Sequence, residues 1–263
     1  MNRIDQKFEH LRAAGRKAFI AYITAGYPDL SVTEALSARL EDAGVDILEL
    51  GVPFSDPLAD GPIIQAASFE ALSRGVTLLK ILDSVRAIRK QTQIPLALMT
   101  YYNPVFHFGE ERFVREAKAA GVDGLIIPDL PVEEAGGLIR AAREADLATV
   151  FFLAPTTTVD RMPGILEAST GFVYFVSVTG VTGSGVTVPE DIAKSISRAR
   201  KLTRKPICVG FGVSTPAQVK AFASISDGVI VGSAIIRQMT EHSQKPDMLD
   251  RVSAFVKQLS SSL

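Results

Sequence analysis

The chain contains no tryptophan, one cysteine and three histidines in 263 residues. A single thiol rules out an intrachain disulfide and any cysteine-based metal cluster. Its setting, Pro206-Ile207-Cys208-Val209-Gly210, predicts a small buried core residue rather than a reactive nucleophile. The histidines, His10, His107 and His242, are too scattered to assemble a zinc site of clustered imidazoles, so no metal is expected. No apolar run approaches the roughly 20 residues that cross a bilayer. The start, Met1-Asn2-Arg3-Ile4-Asp5-Gln6-Lys7, is a polar helix beginning without a signal-peptide core, and a soluble, cytoplasmic protein is expected. Excess charge is also missing: the net charge is −1 with basic residues dispersed along the sequence, which argues against nucleic-acid or membrane partners.

What the chain has is apolar residues, 47% of the total, arranged with a rhythm. Short runs rich in Val, Ile, Phe and Leu recur at residues 19–24, 47–50, 96–100, 125–127, 149–153, 173–177, 207–209 and 229–231, and each reads as a buried parallel strand. Amphipathic stretches with helical spacing separate them, at 31–43, 77–91, 110–120, 133–144, 189–201 and 216–223. The junctions Ala43-Gly44-Val45-Asp46 and Ala120-Gly121-Val122-Asp123 echo one another, with a helix-stopping glycine ahead of the next strand. About eight such units in roughly 250 residues predict a (β/α)₈ TIM barrel rather than an open doubly wound sheet. No linker or charge run divides the chain, so one domain over 1–263 is expected, with residues 2–14 as an extra N-terminal helix covering the barrel's bottom.

Barrels of this kind keep their chemistry at the C-terminal ends of the strands. There the sequence places Glu49, a carboxylate inside the apolar strand Leu48-Glu49-Leu50, followed by an acidic, proline-rich loop carrying Asp56 and Asp60. An ionised carboxylate among leucines costs several kcal/mol or shifts its pKa upward, so Glu49 reads as an acid/base catalyst. The competing reading is a core carboxylate held by an arginine or backbone amides. For Asp60 the alternative is the N-cap of a helix starting near Ile63, and for Asp56 a turn-maker or partner contact. Strand three ends near Tyr101, strand four at Asp129, and strand six leads through Tyr174 into Thr179-Gly180-Val181-Thr182-Gly183-Ser184-Gly185. Residues 179–188 are too long for a simple turn and read as a mobile lid. Gly212, Gly232 and Ser233 lie in turns after the last two strands, where backbone N–H groups and a helix N-terminus commonly hold phosphate; ordinary turn chemistry is the alternative. No lysine falls on a strand facing the barrel interior, which argues against Schiff-base chemistry, and His107, beside Phe106 and Phe108, reads as loop packing. What remains is a phosphorylated small molecule handled by carboxylates, with apolar walls from Tyr22, Ile64 and Phe211.

The run Leu48-Glu49-Leu50-Gly51-Val52-Pro53-Phe54-Ser55-Asp56-Pro57-Leu58-Ala59-Asp60-Gly61 resembles the signature of the tryptophan synthase α chain family. The similarity continues through Pro128-Asp129-Leu130-Pro131, Ser177-Val178-Thr179-Gly180, Gly210-Phe211-Gly212-Val213 and Gly232-Ser233-Ala234-Ile235, and covers nearly the whole chain. It implies retro-aldol cleavage of indole-3-glycerol phosphate to indole and glyceraldehyde 3-phosphate, with no cofactor in this chain. Glu49 is then the general acid/base and Asp60 the acceptor of the indole N–H. Tyr174 lies beside the glycerol phosphate, Gly183, Gly212, Gly232 and Ser233 hold the phosphate, and Thr182 is the lid residue closing onto Asp60. Tyr22, Ile64, Tyr101, Asp129 and Phe211 line the rest of the pocket. The resemblance also implies a partner, a β chain carrying pyridoxal phosphate, in an αββα heterotetramer, with Asp56 as a contact reporting ligand occupancy. A stand-alone lyase releasing free indole, a non-catalytic regulatory barrel and a sugar-phosphate isomerase or epimerase are the competing readings.

Overall fold

A computed structural model describes residues 1–176, 188–210 and 212–263. Among these the elements are α1 (Arg3–Ala13), β1 (Ala18–Thr24), α2 (Leu30–Asp42), β2 (Ile47–Gly51), α3 (Pro62–Ser73), α4 (Leu78–Arg89), β3 (Leu96–Met99), α5 (Tyr102–Phe108), α6 (Glu110–Ala120), β4 (Gly124–Ile126), α7 (Gly136–Glu144), β5 (Ala148–Val150), β6 (Phe152–Leu153), α8 (Met162–Ala168), β7 (Val173–Val176), α9 (Glu190–Arg200), β8 (Ile207–Gly210), α10 (Pro216–Ala223), β9 (Gly228–Val231), α11 (Ser233–His242) and α12 (Met248–Ser260). The helices begin where local chemistry satisfies their first N–H groups. Asp29 accepts from Val32 N–H and Thr77 from Lys80 N–H, while Thr215 and Gln218 form a reciprocal capping box ahead of Pro216. The echoed glycines do end their helices, Gly44 with φ +90° and Gly121 with φ +105°. No helix among the described residues is long and apolar enough to cross a membrane.

The strands form one parallel sheet in the order β5-β4-β3-β2-β1-β9-β8-β7-β6. Its two edge members, β5 and β6, are halves of the single strand expected at 149–153, interrupted at Phe151. One half pairs with β4 and the other with β7, so the sheet curls into a barrel. The register followed from Ile20 through β2, β3 and β4 arrives level with residue 146, and through β9, β8 and β7 level with residue 154. That offset of eight residues is the shear of a (β/α)₈ barrel.

Two apolar layers follow from strand alternation. Outward residues such as Phe19, Leu48, Leu98 and Val209 pack against the helices, while Ile20, Ile47, Ala97, Ile126, Val150, Cys208 and Ile230 fill the barrel. α1 closes the bottom with Ile4, Phe8 and Leu11, each contributing roughly 1.5–3 kcal/mol by burial. Ile4 fits because Gly124 has no side chain, a Cβ there lying 2.8 Å from Ile4 Cδ1.

The bottom rim carries a polar joint used three times. Asp46, Asp123 and Asp227 each immediately precede a strand, and each is tied twice to the strand before it. The Oδ2 atoms accept from the N–H groups of Phe19, Leu96 and Ile207 at 3.0, 2.9 and 2.9 Å. The aspartates' own N–H groups donate back to the carbonyls of the same three residues at 2.8 Å. Cations complete each joint: Lys7 beside Asp46, Arg3 and Arg89 on Asp123, Arg200 and Lys17 on Asp227. Lys17 and Lys205 thus lie at the end of the barrel opposite the strand C-termini; Lys205 Nζ donates to the carbonyls of Leu166, Glu167 and Ser169.

Candidate active site

A cavity of about 250 Å³ opens at the C-terminal ends of the strands. Tyr22 of β1, Met99 of β3, Tyr174 of β7 and Ile230 of β9 form its walls, Ala59 to Ile64 one side, and Gly212, Gly232 and Ser233 another. The lining is mostly apolar with a few convergent polar groups, the usual character of a small-molecule site.

Glu49 projects from β2 on the barrel's inner face, between Ile47 and Gly51, and pairs in register with Tyr22 and Ala97. It is 0% exposed, and neither carboxylate oxygen has a hydrogen-bond partner among the described residues. The alternative of a core carboxylate tied to an arginine or amides does not apply. Burial without compensation pushes its pKa up to about 8, so at neutral pH the group is predominantly protonated.

Asp60 lies on the loop before α3 but does not cap it. The N-cap position is Gly61, with no side-chain hydrogen bond, and Pro62 begins the helix. The Asp60 carboxylate instead accepts a 3.0 Å hydrogen bond from the Tyr101 hydroxyl, which itself accepts from Ala59 N–H at 2.9 Å. Burial raises the Asp60 pKa to about 6 against the lowering effect of Tyr101, leaving it mostly ionised at pH 7. Tyr101 is held by its ring, which stacks on Phe54 with centroids 5.2 Å apart.

The opposite wall suits an anion. Gly232 precedes α11, whose N-terminus has no side-chain cap; Gly232 carbonyl accepts from Ile235 and Ile236 N–H, so the N–H groups of Ser233 and Ala234 have no intrahelical acceptor. Gly212, with φ +66°, faces the same space. Tyr174 stands nearby, its ring against Phe152 at 4.9 Å and its hydroxyl over Gly210, where a Cβ would come within 2.5 Å of it.

Of the residues expected from sequence, Tyr22, Asp60, Ile64, Tyr174, Gly212, Gly232 and Ser233 therefore share one cavity, with Glu49 buried in the adjoining wall and Tyr101 bonded to Asp60. Asp129 does not line the cavity: its Oδ1 accepts from Tyr102 N–H at 2.9 Å, fastening the segment after β4 to the start of α5. Asp56 is exposed and accepts a hydrogen bond from Ser55. Thr182, Gly183, Phe211 and most of the expected lid at 179–188 lie outside the described residues. His107 is not in a loop but in the last turn of α5, exposed. Sequence reasoning missed Ala59, Gly61, Pro62, Ile63, Met99 and Ile230; the alternation along β3 and β9 is the signal that points Met99 and Ile230 inward once the register is known. Among the described residues no cluster of three His, Cys, Asp or Glu side chains is placed to hold a metal ion, and no lysine lines the cavity.

The profile of the family described as "Tryptophan synthase alpha chain" matches residues 8–263. A tryptophan synthase alpha chain of Geotalea daltonii is 48% identical over 263 residues, covering 100% of this chain and 99% of the relative. The crystal structure of tryptophan synthase subunit alpha from Legionella pneumophila superposes with a TM-score of 0.93 at 36% identity, covering 100% of this chain and 98% of that one. Tryptophan synthase from M. tuberculosis in its aminoacrylate-bound form has a chain matching with a TM-score of 0.89 at 36% identity, over 100% and 99%. With a profile match spanning nearly all of it and a relative of this similarity over its full length, the chain belongs to the tryptophan synthase alpha chain family and is a lyase of tryptophan biosynthesis.

Proposed function

We propose that the chain cleaves indole-3-glycerol phosphate to indole and glyceraldehyde 3-phosphate by a retro-aldol step, using carboxylates and no cofactor of its own. The observation that carries this reading is two carboxyl groups serving one site in unlike surroundings: Glu49 is buried with no hydrogen-bond partner among the described residues, which favours its protonated form, while the Tyr101 hydroxyl donates to Asp60, which favours its ionised form. Glu49 delivers a proton to indole C3. The positive charge that then develops on the ring nitrogen is met by the Asp60 carboxylate, which accepts the N–H. The electron pair of the breaking carbon–carbon bond returns to the ring and restores indole. The Glu49 carboxylate, now ionised, removes the proton from the adjacent glycerol hydroxyl as it becomes the aldehyde. One proton enters and one leaves, with no net oxidation or reduction. The Gly232–Ser233 turn and Gly212 bind the phosphate, Tyr174 packs beside the glycerol chain, and Gly183, Thr182 and Phe211 complete the phosphate site, lid and wall.

The rim beside this cavity supports a partner. Leu58 is 90% exposed two residues after Asp56, and Phe69, also open to solvent, lines a shallow groove with Phe54 and Pro57 of the same loop; exposed apolar side chains that gather in this way mark docking surfaces. In this reading a β chain carrying pyridoxal phosphate docks there, in an αββα assembly, with Asp56 as its charged contact. The test is indole release from indole-3-glycerol phosphate, with and without a β chain. Loss of release in Glu49→Gln and in Asp60→Asn, with phosphate-ligand binding retained, is the expected result; unchanged turnover in Glu49→Gln overturns the mechanism. Unaltered complex affinity in Asp56→Ala removes that residue from the interface.

A further inference from the structure

Tyr22 carries a hydroxyl that the barrel does not need. The ring lines the cavity and is almost fully buried, yet the hydroxyl's one partner among the described residues is Thr24 Oγ1 at 3.4 Å, well beyond the usual 2.7–2.8 Å for such a bond. A buried phenol with so long a hydrogen bond loses water and recovers little in return, whereas phenylalanine would fill the same space without that loss.

The slot around the ring is made from two missing side chains. At Gly51 a Cβ would lie 2.1 Å from the Tyr22 hydroxyl and 2.5 Å from Cζ; at Gly232 it would lie 3.2 Å from Tyr22 Cβ and Cδ1. Glycine inside a strand is unfavourable, and Gly51 closes β2 with backbone torsions open to any residue. Its absence of a side chain is explained by the approach of the phenol. The ring therefore reaches from the Gly232 turn, where an anion would sit, to the strand that carries Glu49.

We infer that the Tyr22 hydroxyl donates a hydrogen bond to the hydroxyl-bearing carbon chain between the phosphate and the apolar end of the substrate, and that Gly51 is kept free of a side chain to seat that donor. The inference rests on the phosphorylated-substrate reading above and adds a residue that distinguishes a hydroxylated chain from a bare one. Burial holds the phenol's pKa far above any working pH, so the group is always available as a donor.

Two ligands titrated against two proteins test this. Dissociation constants of glycerol 3-phosphate and propyl phosphate are measured by phosphorus NMR with the full chain and with Tyr22→Phe, after thermal melting has shown both to be folded. Tyr22→Phe is expected to weaken glycerol 3-phosphate about fivefold, the range of one neutral hydrogen bond, and to leave propyl phosphate within twofold. Equal weakening of both ligands would mean that only the ring position matters, and no change in either would mean that the hydroxyl touches nothing; both outcomes overturn the inference while leaving the phosphate site intact. Failure of both ligands to bind the unmodified chain would overturn the phosphate reading of the Gly232–Ser233 turn, and this inference with it.

Discussion

Removing the Tyr101 hydroxyl should move one limb of the pH profile and leave the other in place. In Tyr101→Phe, Asp60 loses the 3.0 Å hydrogen bond that favours its ionised form, while the burial that raises its pKa to about 6 persists. A hydrogen bond to a charged group contributes roughly 1.5–3 kcal/mol, and 1.36 kcal/mol corresponds to one pKa unit, so allowing for water near this half-buried loop the shift is about one unit upward. The ionised fraction of Asp60 then falls from about nine-tenths to about half at pH 7, and from about half to about a tenth at pH 6. If Asp60 acts as the carboxylate, kcat/KM for indole release drops about twofold at pH 7, about fivefold at pH 6 and hardly at all near pH 8. The alkaline limb, assigned to Glu49 at about 8, stays where it is. Ala59 is exposed, so water replaces the acceptor its N–H loses. An acidic limb that does not move in Tyr101→Phe, whatever happens to the absolute rate, would refute the assignment of that limb to Asp60.

Four further results are expected. Glu49 has a folded-state pKa raised from 4.5 to about 8, so the fold holds a proton that the unfolded chain releases, and stability falls as pH rises across that window by up to about 5 kcal/mol; urea unfolding of Glu49→Gln should show a flatter pH dependence, and parallel curves for the two proteins would contradict the burial argument. Asp123→Ala leaves the largely buried Arg89 without its partner and Leu96 N–H without its acceptor, and should cost about 3–5 kcal/mol in denaturant unfolding. Asp250→Ala, which removes an exposed partner of Arg39, should cost less than about 1 kcal/mol. Gly51→Ala forces the Tyr22 ring aside and should cost about 1–3 kcal/mol by overpacking, lowering the melting temperature, with a shift indistinguishable from zero counting against the close approach.

The barrel was legible because its strands are buried on both faces and read as unbroken apolar runs, and Glu49 stood out as a charge within one of them. Phe151 shows where this reading stops. Apolar character continues through it, and only the pairing of β5 with β4 and β6 with β7 reveals the break. α5 was missed because the segment carrying His107 between Phe106 and Phe108 reads as a loop, although Pro104 falls early enough in the helix to be tolerated there. The two readings of Asp60 were equal on local grounds, since the group that decides between them, Tyr101, is 41 residues away. Asp129 misled in the opposite direction: it follows a strand's C-terminal end, yet its partner is the backbone N–H of Tyr102, 27 residues away. Asp46 and Asp123 were visible as part of an echo, but the atoms they bind lie on neighbouring strands.

Those aspartates bear on a problem that apolar packing alone leaves open. A strand sliding by two residues keeps every inward side chain facing inward, so a greasy interior does little to forbid it. At Asp46, Asp123 and Asp227 the same slip would pull a carboxylate away from a backbone N–H and from its cations together, stranding charge at the barrel's base. Three joints of this kind act as index pins for the sheet: they allow one alignment of β1 with β2, of β3 with β4 and of β8 with β9, and so set the heights at which Glu49 and Tyr22 meet at the other end.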